Sequence, residues 1–189
     1  MIIHVGVTAA GNWEAINRIS ALYLTLLLNV MLIYYLPKLS AINQKDKLRR
    51  EIRNGFRFFV PVVLVGGITI FLFRFIIINV FLSPRFTAIQ DLFLPQLLGD
   101  FFKILAYLYA YLVIAKGLNI FFIITEVTTT LLLAVSSFFL IKWYGTTGAV
   151  YSYMVVYILY FLVQHLFIGK FYLHENTNTT SWLWKGGRQ

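Results

Sequence analysis

The stretch LLGDFFKILAYLYAYLVIAKG, residues 97–117, is apolar enough to lie in lipid, yet it contains an acid and a base one helical turn apart. Ionisable groups inside a membrane span are costly, so they normally face a protein interior or a water-filled cavity. The polar residues here fall on one stripe along an α-helix: Gln96, Asp100, Lys103, Tyr107 and Tyr111. The spacing therefore predicts a helix whose polar side is turned away from lipid.

The composition of the whole chain predicts an integral membrane protein. Of its 189 residues, 60% are hydrophobic and 12% are charged, whereas soluble domains carry about 25% charged residues. The absence of cysteine excludes disulfides, thiolate nucleophiles and cysteine-based metal sites. The N-terminus has no basic region followed by an apolar run, so we predict no signal peptide.

Five apolar stretches are long enough to cross a hydrocarbon core of about 30 Å, which takes about 20 helical residues. The predicted spans A to E cover residues 14–37, 56–82, 92–115, 118–141 and 149–169. They form a transmembrane bundle over residues 1–172, followed by a polar C-terminal tail over 173–189. Because the apolar runs are continuous rather than alternating, they indicate an all-α bundle and not a β-barrel.

Basic residues are concentrated on one side of these spans. Eleven Lys and Arg residues fall in the A–B loop, the C–D turn and the tail, against Arg85 and Lys142 on the other side. By the positive-inside rule the first group faces the cytoplasm, and five spans then place the N-terminus of this chain in the periplasm. Since this rule explains the net charge of +9, we expect no nucleic acid partner.

Three local patterns predict how the spans are joined. Span A is expected to end at Pro37. The A–B loop, SAINQKDKLRREIRNGF over 40–56, is typical of a short amphipathic helix on an anionic leaflet or of a solvated connector. The stretch GTTG at 145–148 predicts a turn between spans D and E.

Polar residues recur in the other spans as well. They are Glu14, Arg18, Thr25 and Asn29 in span A, Arg74 in span B, Glu126, Thr129, Thr130 and Ser137 in span D, and Tyr153, Tyr157, Tyr160 and Gln164 in span E. Polar faces on several spans predict helices arranged around a hydrophilic cavity. Glu126 has no charged residue three or four positions away, so it needs a partner from another span or a proton.

Several of these residues also have a purely structural interpretation. Asp100 and Lys103 would neutralise each other at i, i+3. Arg74 would extend to the outer interface, and the tyrosines of span E would pack between helices. The three histidines are scattered and no GxxxxGK[ST] loop is present, so we predict no catalytic residue, no metal site and no cofactor.

Three longer stretches carry a resemblance to a known family: NWEAINRISALYLTLLLNVMLIYYLPKLS (12–40), LSPRFTAIQDLFLPQLLGDFFKILAYLYAYLVIAKG (82–117) and YGTTGAVYSYMVVYILYF (144–161). They resemble the C-terminal part of Wzx-type O-antigen and enterobacterial common antigen flippases. These flippases belong to the multidrug/oligosaccharidyl-lipid/polysaccharide exporter superfamily. The resemblance covers most of the chain, from about residue 12 to residue 170.

The resemblance implies a fold and a function. The expected fold is that of the family: two lobes of six or seven helices that form a V around a central cavity. They flip undecaprenyl-pyrophosphate-linked oligosaccharides across the bacterial inner membrane for surface polysaccharide and lipopolysaccharide biosynthesis. Five spans would be most of one lobe, so we expect a truncated C-terminal part that lacks the N-terminal lobe. The lipid bilayer and other polysaccharide-assembly membrane proteins are the further partners that the resemblance implies.

The resemblance also implies that Asp100, Lys103, Arg74 and Glu126 match charged positions lining the C-terminal lobe, and the chemistry of the intramembrane side chains suggests their roles. Arg74 and Lys103 are expected to bind the diphosphate, since Arg makes bidentate phosphate contacts and Lys acts as a point charge. Tyr107, Tyr153, Tyr157 and Tyr160 are expected to bind the sugars. Asp100 and Glu126 are expected to exchange the proton or cation that drives transport.

Three other functions stay open. A membrane-embedded polysaccharide polymerase would need a large extramembrane loop, which this chain lacks. A non-transporting remnant or accessory membrane subunit would fit the missing lobe. A multidrug exporter of the same superfamily is a further alternative, because fold does not fix substrate, although organic cations would favour acids without deep basic residues.

Overall fold

The computed structural model describes the backbone of residues 7–82 and 89–172, and the side chains of 11–80 and 89–168. The described regular structure is helical, which confirms the predicted all-α membrane fold. The helices are α1 (Val7–Val30), α2 (Leu36–Ala41), α3 (Lys45–Leu72), α4 (Arg74–Ile77), α5 (Phe93–Ala115) and α6 (Asn119–Gln164). Three π-helical segments extend them: Met31–Tyr35, Ile78–Leu82 and His165–Tyr172. The predicted tail and Arg85 lie outside the described residues.

Four helical stretches of the described chain are long and apolar enough to cross a membrane: Gly11–Ala41, Lys45–Leu72, Ile89–Ala115 and Asn119–Ile168. The last has 50 residues, more than twice the length that one crossing needs. It reverses direction at Gly145, and its two arms, 119–144 and 146–164, correspond to predicted spans D and E.

The reversal in α6 lies inside the stretch GTTG, where the sequence predicts a turn. Gly145 has φ 59° and ψ −137°, a conformation that residues with a side chain rarely adopt. Beyond it, the Ser152 hydroxyl lies 2.5 Å from the Ser136 hydroxyl, although 16 residues of straight helix would separate them by about 24 Å. The arms lie close together at Gly148, where a Cβ would overlap the Leu140 carbonyl. Arms D and E are therefore an antiparallel hairpin.

Helix α5 occupies the centre of the bundle. It packs against α1, α2, α3 and α6, and Ile104, Leu108 and Leu112 on it are fully buried. The surrounding helices instead expose large apolar side chains, as Leu22, Val65 and Ile120 do. Because other helices cover α5, its polar stripe faces protein, and the apolar outer surfaces suit contact with lipid.

The first span does not end at Pro37, as the sequence predicted, but continues to Ala41. The π-helical segment Met31–Tyr35 directly precedes this proline, and the Leu36 N–H donates to the Met31 carbonyl. Proline lacks the N–H that would bond to the carbonyl four residues earlier. The wider π turn changes the hydrogen-bond pattern at this point, so the helix accommodates the proline.

The structure also differs from the prediction for the basic A–B segment. The sequence predicted a separate surface helix or a solvated connector. Helix α3 begins at Lys45, so residues 45–57 are its first turns and run on into span B without a break. Leu48 and Ile52 on these turns are buried. An amphipathic pattern reports which face is apolar, but it does not report whether the helix continues into the next apolar run.

Two basic segments meet at one end of the bundle. The Lys116 ammonium, in the C–D turn, donates to the Ile42 carbonyl in the A–B connection at 2.5 Å. Burial lowers the pKa of Lys116 from its ordinary value. The contact places both segments at the same end, as the positive-inside prediction requires. The side of the membrane to which this end belongs stays a prediction, as does the division at residue 172.

Candidate functional site

Asp100 lies on the polar stripe of α5, one turn after Gln96, and is completely buried. The Tyr23 hydroxyl from α1 donates to Oδ2 at 2.5 Å, and the Tyr153 hydroxyl from arm E donates to Oδ1 at 2.7 Å. Burying a carboxylate is costly unless its oxygens are hydrogen-bonded. The two tyrosines satisfy both oxygens, and in doing so they tie α5 to α1 and to arm E.

Tyr153 reaches Asp100 because the preceding residue on α5 is a glycine. A Cβ built on Gly99 would lie 2.5 Å from Cδ1 of the Tyr153 ring and 3.2 Å from the Met154 Cα. A distance of 2.5 Å between a Cβ and a ring carbon is shorter than real Cβ contacts essentially ever are. Gly99 thus provides the space in which the tyrosine ring lies against the α5 backbone.

Lys103 lies one turn further along α5 and faces aromatic rings. Its Nζ is 4.7 Å from the ring centre of Tyr157 and 5.5 Å from that of Tyr153, within the range of cation–π attraction. The ion pairs within 4.0 Å in the described part of the chain do not include Lys103 with Asp100. Lys103 is therefore not in direct contact with Asp100, which differs from the close pair predicted at i, i+3, and its ammonium faces two tyrosine rings.

Glu126 on arm D obtains its partners from other spans, as the sequence required, but these partners are hydroxyls. Tyr160 donates to Oε1 at 2.5 Å, and Tyr107 lies 3.5 Å from Oε2. Gln164 is fully buried and donates in turn to the Tyr160 oxygen at 3.2 Å and to Thr125 at 3.3 Å. A directed chain of hydrogen bonds thus runs from Gln164 through Tyr160 to Glu126.

A continuous series of tyrosine rings connects the two acids. The ring centres of Tyr153 and Tyr157 are 4.6 Å apart, and those of Tyr157 and Tyr160 are 6.3 Å apart. Tyr160 lies 6.3 Å from Tyr107. The structure brings together seven of the eight predicted site residues, which we call the polar cluster: Asp100, Lys103, Tyr107, Glu126, Tyr153, Tyr157 and Tyr160.

Arg74 is the predicted site residue that does not join the polar cluster. It lies at the break between α3 and α4, and its Nη1 donates to the Phe71 carbonyl at 2.8 Å. Its guanidinium lies 4.2 Å from the Phe71 ring centre and 4.5 Å from that of Phe75. These contacts are all with its own stretch of chain, so the role of Arg74 in binding a diphosphate stays a prediction.

Sequence reasoning missed the residues that α1 contributes. Ser20 and Tyr23 point inward to Asp100, whereas the predicted span A residues Glu14 and Arg18 form an exposed pair at 2.8 Å. Thr25 is exposed and bonds back to its own helix. The sequence pattern that could have identified them is their spacing: Ser20 and Tyr23 are three residues apart and so share one helix face. That signal is weak, because a single serine or tyrosine is common in an apolar span.

The residues of the polar cluster differ in exposure. Tyr153 and Tyr160 are 9% and 4% exposed, and their hydroxyl protons are used by the two acids. Tyr107, Tyr157, Lys103 and Glu126 are only partly buried. A ligand would therefore meet these four side chains first.

Two curated proteins are similar to this chain, the lipid III flippases of Escherichia coli (strain K12) and Shigella flexneri. Each is 40% identical over 151 residues, which is 80% of this chain and 36% of the relative. The chain therefore spans just over a third of the length of the curated relatives it matches. No protein-family model matches the chain. No solved structure matches it either.

These matches confirm the resemblance to a flippase that the sequence indicated. Flippases are transporters, so the prediction of a transporter rather than an enzyme agrees with both relatives.

Proposed function

We propose that this chain forms part of a flippase in the bacterial inner membrane. Its substrate would be an undecaprenyl-pyrophosphate-linked oligosaccharide that is used for O-antigen or enterobacterial common antigen. The basic end with the A–B connection and the C-terminus would face the cytoplasm, and the N-terminus of this chain the periplasm.

The observation that carries the proposal is the polar cluster itself. Two acids, one lysine and four tyrosines from α5 and the two arms of α6 meet between helices whose outer faces are apolar. Intramembrane ionisable groups that face the bundle interior commonly mark substrate and ion pathways. The lipid III flippase relatives support a lipid-linked substrate for such a pathway.

The arrangement suggests a division of roles within the cluster. Lys103 would bind a phosphate oxygen, because its ammonium is held by rings and not by an acid. Tyr107 and Tyr157 would offer ring faces to the sugars, joined by Tyr153 and Tyr160 when the cluster opens. Asp100 and Glu126 would accept a proton or a cation, and the polyprenyl tail would stay in lipid between helices.

The test measures translocation with the charge of single cluster residues removed. Glu126→Gln and Lys103→Gln are made in this chain and at the aligned positions of the E. coli relative. Surface polysaccharide is then measured in cells that lack their own flippase. We expect both variants to abolish it, because the charge that handles the ion or the diphosphate is gone. Glu14→Gln and Lys142→Gln remove the same charges from exposed positions and are expected to have no effect.

Normal polysaccharide with both cluster variants would refute the assigned roles. A loss that is equal in the cluster and control variants would show a general effect of charge. Membrane abundance of each variant, measured by quantitative immunoblotting, separates a transport defect from loss of the protein.

The second candidate is a non-transporting remnant or accessory membrane subunit. The two candidates are distinguished by reconstituting the purified chain in liposomes with a fluorescent lipid-linked oligosaccharide. Transfer of the label to the opposite leaflet supports a flippase. Binding of the chain to a full-length flippase without transfer supports an accessory subunit.

A further inference from the structure

A second site lies away from the polar cluster, between the π-helical segment Met31–Tyr35 and α3. It is a cleft of about 380 Å³, which is within the usual size of small-ligand sites, about 300–1,000 Å³. Its lining residues come from the end of the membrane-spanning stretch Gly11–Ala41 and from the N-terminal part of α3. π-Helical turns are frequent at functional sites.

The cleft changes from apolar to polar along its length. Val30, Tyr34 and Phe58 line one part and are exposed large apolar side chains. Lys38 and Glu51 line the other part, next to the basic first turns of α3. The cleft thus crosses from the apolar surface of the bundle to its charged end. An occupant that satisfies both parts must be amphiphilic, and the exposed apolar wall allows it to enter sideways from the bilayer.

The polar part of the cleft offers both signs of charge. The Lys38 Nζ lies 2.8 Å from the Glu51 Oε1. Lysine has three N–H donors and a carboxylate has two acceptor oxygens, so each group keeps capacity after they pair. A lone phosphate would meet Glu51 as a like charge. A zwitterion avoids this conflict, because its ammonium can donate to Glu51 while its phosphate accepts from Lys38.

Tyr35 provides a third polar group. It is 6% exposed, lines the cleft, and its buried hydroxyl has no hydrogen-bond partner within the described residues. The Tyr35 side chain has neighbours on two sides. Phe59 makes an edge contact with its ring at 6.0 Å between ring centres. Gly55 lies so close to the hydroxyl that a Cβ there would be 2.6 Å from its oxygen. A buried hydroxyl without a partner is unfavourable, and a phosphate ester oxygen that reached it would accept its proton.

From these observations we infer that the cleft is a binding site for phosphatidylethanolamine. The lipid phosphate would lie at Lys38 and Tyr35, the lipid ammonium at Glu51, and an acyl chain along Tyr34 and Phe58. The inference does not depend on the proposed transport function, because none of these residues belongs to the polar cluster.

The experiment measures lipid retention by the purified full chain in native mass spectrometry. Phosphatidylethanolamine, phosphatidylcholine and phosphatidylglycerol with identical acyl chains are titrated separately. We expect preferential retention of phosphatidylethanolamine, since phosphatidylcholine has no ammonium N–H and phosphatidylglycerol has no ammonium. Glu51→Gln should lower that retention at least about tenfold and remove the preference.

Two further variants sharpen the test. Tyr35→Phe removes only the hydroxyl and should weaken retention of all three lipids, since all three contain the phosphate. Asp46→Asn also removes one acid from α3, but at an exposed position, and should change nothing. Thermal unfolding in detergent without added lipid identifies any variant that fails to fold, and the conclusion then rests on the variants that do fold.

Equal retention of the three lipids by the unmodified chain would overturn the inference. So would equal effects of Glu51→Gln and Asp46→Asn. Preference for phosphatidylglycerol would overturn it in favour of an anionic lipid. Displacement by a lipid-linked pyrophosphate, but not by phosphatidylethanolamine, would overturn it in favour of the proposed transport substrate.

Discussion

Asp100 and Glu126 both accept hydrogen bonds from tyrosine hydroxyls, but they differ in access to the surroundings. Asp100 is completely buried, and hydroxyls hold both of its oxygens. Glu126 is partly exposed and has one short and one long hydrogen bond. Glu126 is therefore the acid that can exchange a proton or an ion with the least rearrangement. Asp100 is better suited to hold α1, α5 and arm E together.

This difference leads to a prediction for Tyr23→Phe. The substitution keeps the ring and removes the hydroxyl that donates to Asp100 Oδ2 at 2.5 Å. A buried carboxylate oxygen that loses its donor destabilises the fold by about 1–3 kcal/mol. We expect a lower free energy of unfolding, measured by titration of the detergent-solubilised chain with a denaturing detergent.

Tyr151→Phe is the matched control, because Tyr151 is 47% exposed on the apolar surface of arm E. Its unfolding should match that of the unmodified chain. If both variants unfold alike, the Tyr23 hydrogen bond does not stabilise the bundle, and Asp100 has no structural role through α1.

The residues of the polar cluster could be found in the sequence because helix geometry fixes which side chains share a face. That geometry predicted the stripe containing Asp100, Lys103 and Tyr107. It could not predict what lies opposite the stripe, which depends on packing between helices. For this reason Tyr23 was missed, and Arg74 was grouped with residues that it does not contact.

Among the helices, glycines determine how closely neighbours approach. The prediction at this scale is for Gly99→Ala, whose methyl group would overlap the Tyr153 ring and crowd the Met154 backbone. Overpacking of this kind costs about 1–3 kcal/mol. Arm E must move away from α5, which also lengthens the Tyr153–Asp100 hydrogen bond of 2.7 Å. We expect reduced stability together with loss of the proposed transport.

Gly66→Ala is the control for helix propensity. Gly66 is inside α3, and a Cβ there would meet no atom within 4 Å. Alanine is the better helix former by about 0.5–1 kcal/mol, so this variant should be as stable as the unmodified chain or more so. A Gly99→Ala variant that behaves like Gly66→Ala would show that α5 and arm E are not in close contact.

The spans were easier to predict than their ends. A run of about 20 apolar residues is a strong signal for a transmembrane helix, and the Gly145 turn was predictable because few residues adopt its backbone conformation. The continuation past Pro37 and the start of α3 at Lys45 were not predictable. Each depends on hydrogen bonds or helix continuity that a residue pattern does not record.

At the scale of the whole molecule, the two basic segments lie at one end of the bundle and the Gly145 turn of the hairpin lies at the other. Lys116 bonds to the Ile42 carbonyl and so joins the C–D turn to the A–B connection. From there, arm D extends over 119–144, about 39 Å of helix, to the turn at Gly145. That distance exceeds a hydrocarbon core of about 30 Å. The two ends therefore emerge on different sides of a membrane that the bundle spans.

This geometry gives a prediction for membrane orientation that single cysteines can test. The chain has no cysteine, so Asn43→Cys in the A–B connection and Tyr144→Cys beside the turn have no background. We expect a membrane-impermeant maleimide to label Tyr144→Cys in intact spheroplasts. Asn43→Cys should be labelled only in inverted vesicles, because the positive-inside rule places the basic end in the cytoplasm.

Val127→Cys is the control for a position that is exposed to lipid rather than to water. Val127 is 52% exposed on arm D, about 27 Å of helix away from Gly145, and should resist labelling from both sides. Labelling of Asn43→Cys and Tyr144→Cys from the same side would contradict the antiparallel hairpin, since one crossing by arm D must separate them. The reverse pattern would preserve the fold but invert the orientation. Lys103 and Glu126 would then meet the proposed lipid-linked substrate from the opposite leaflet.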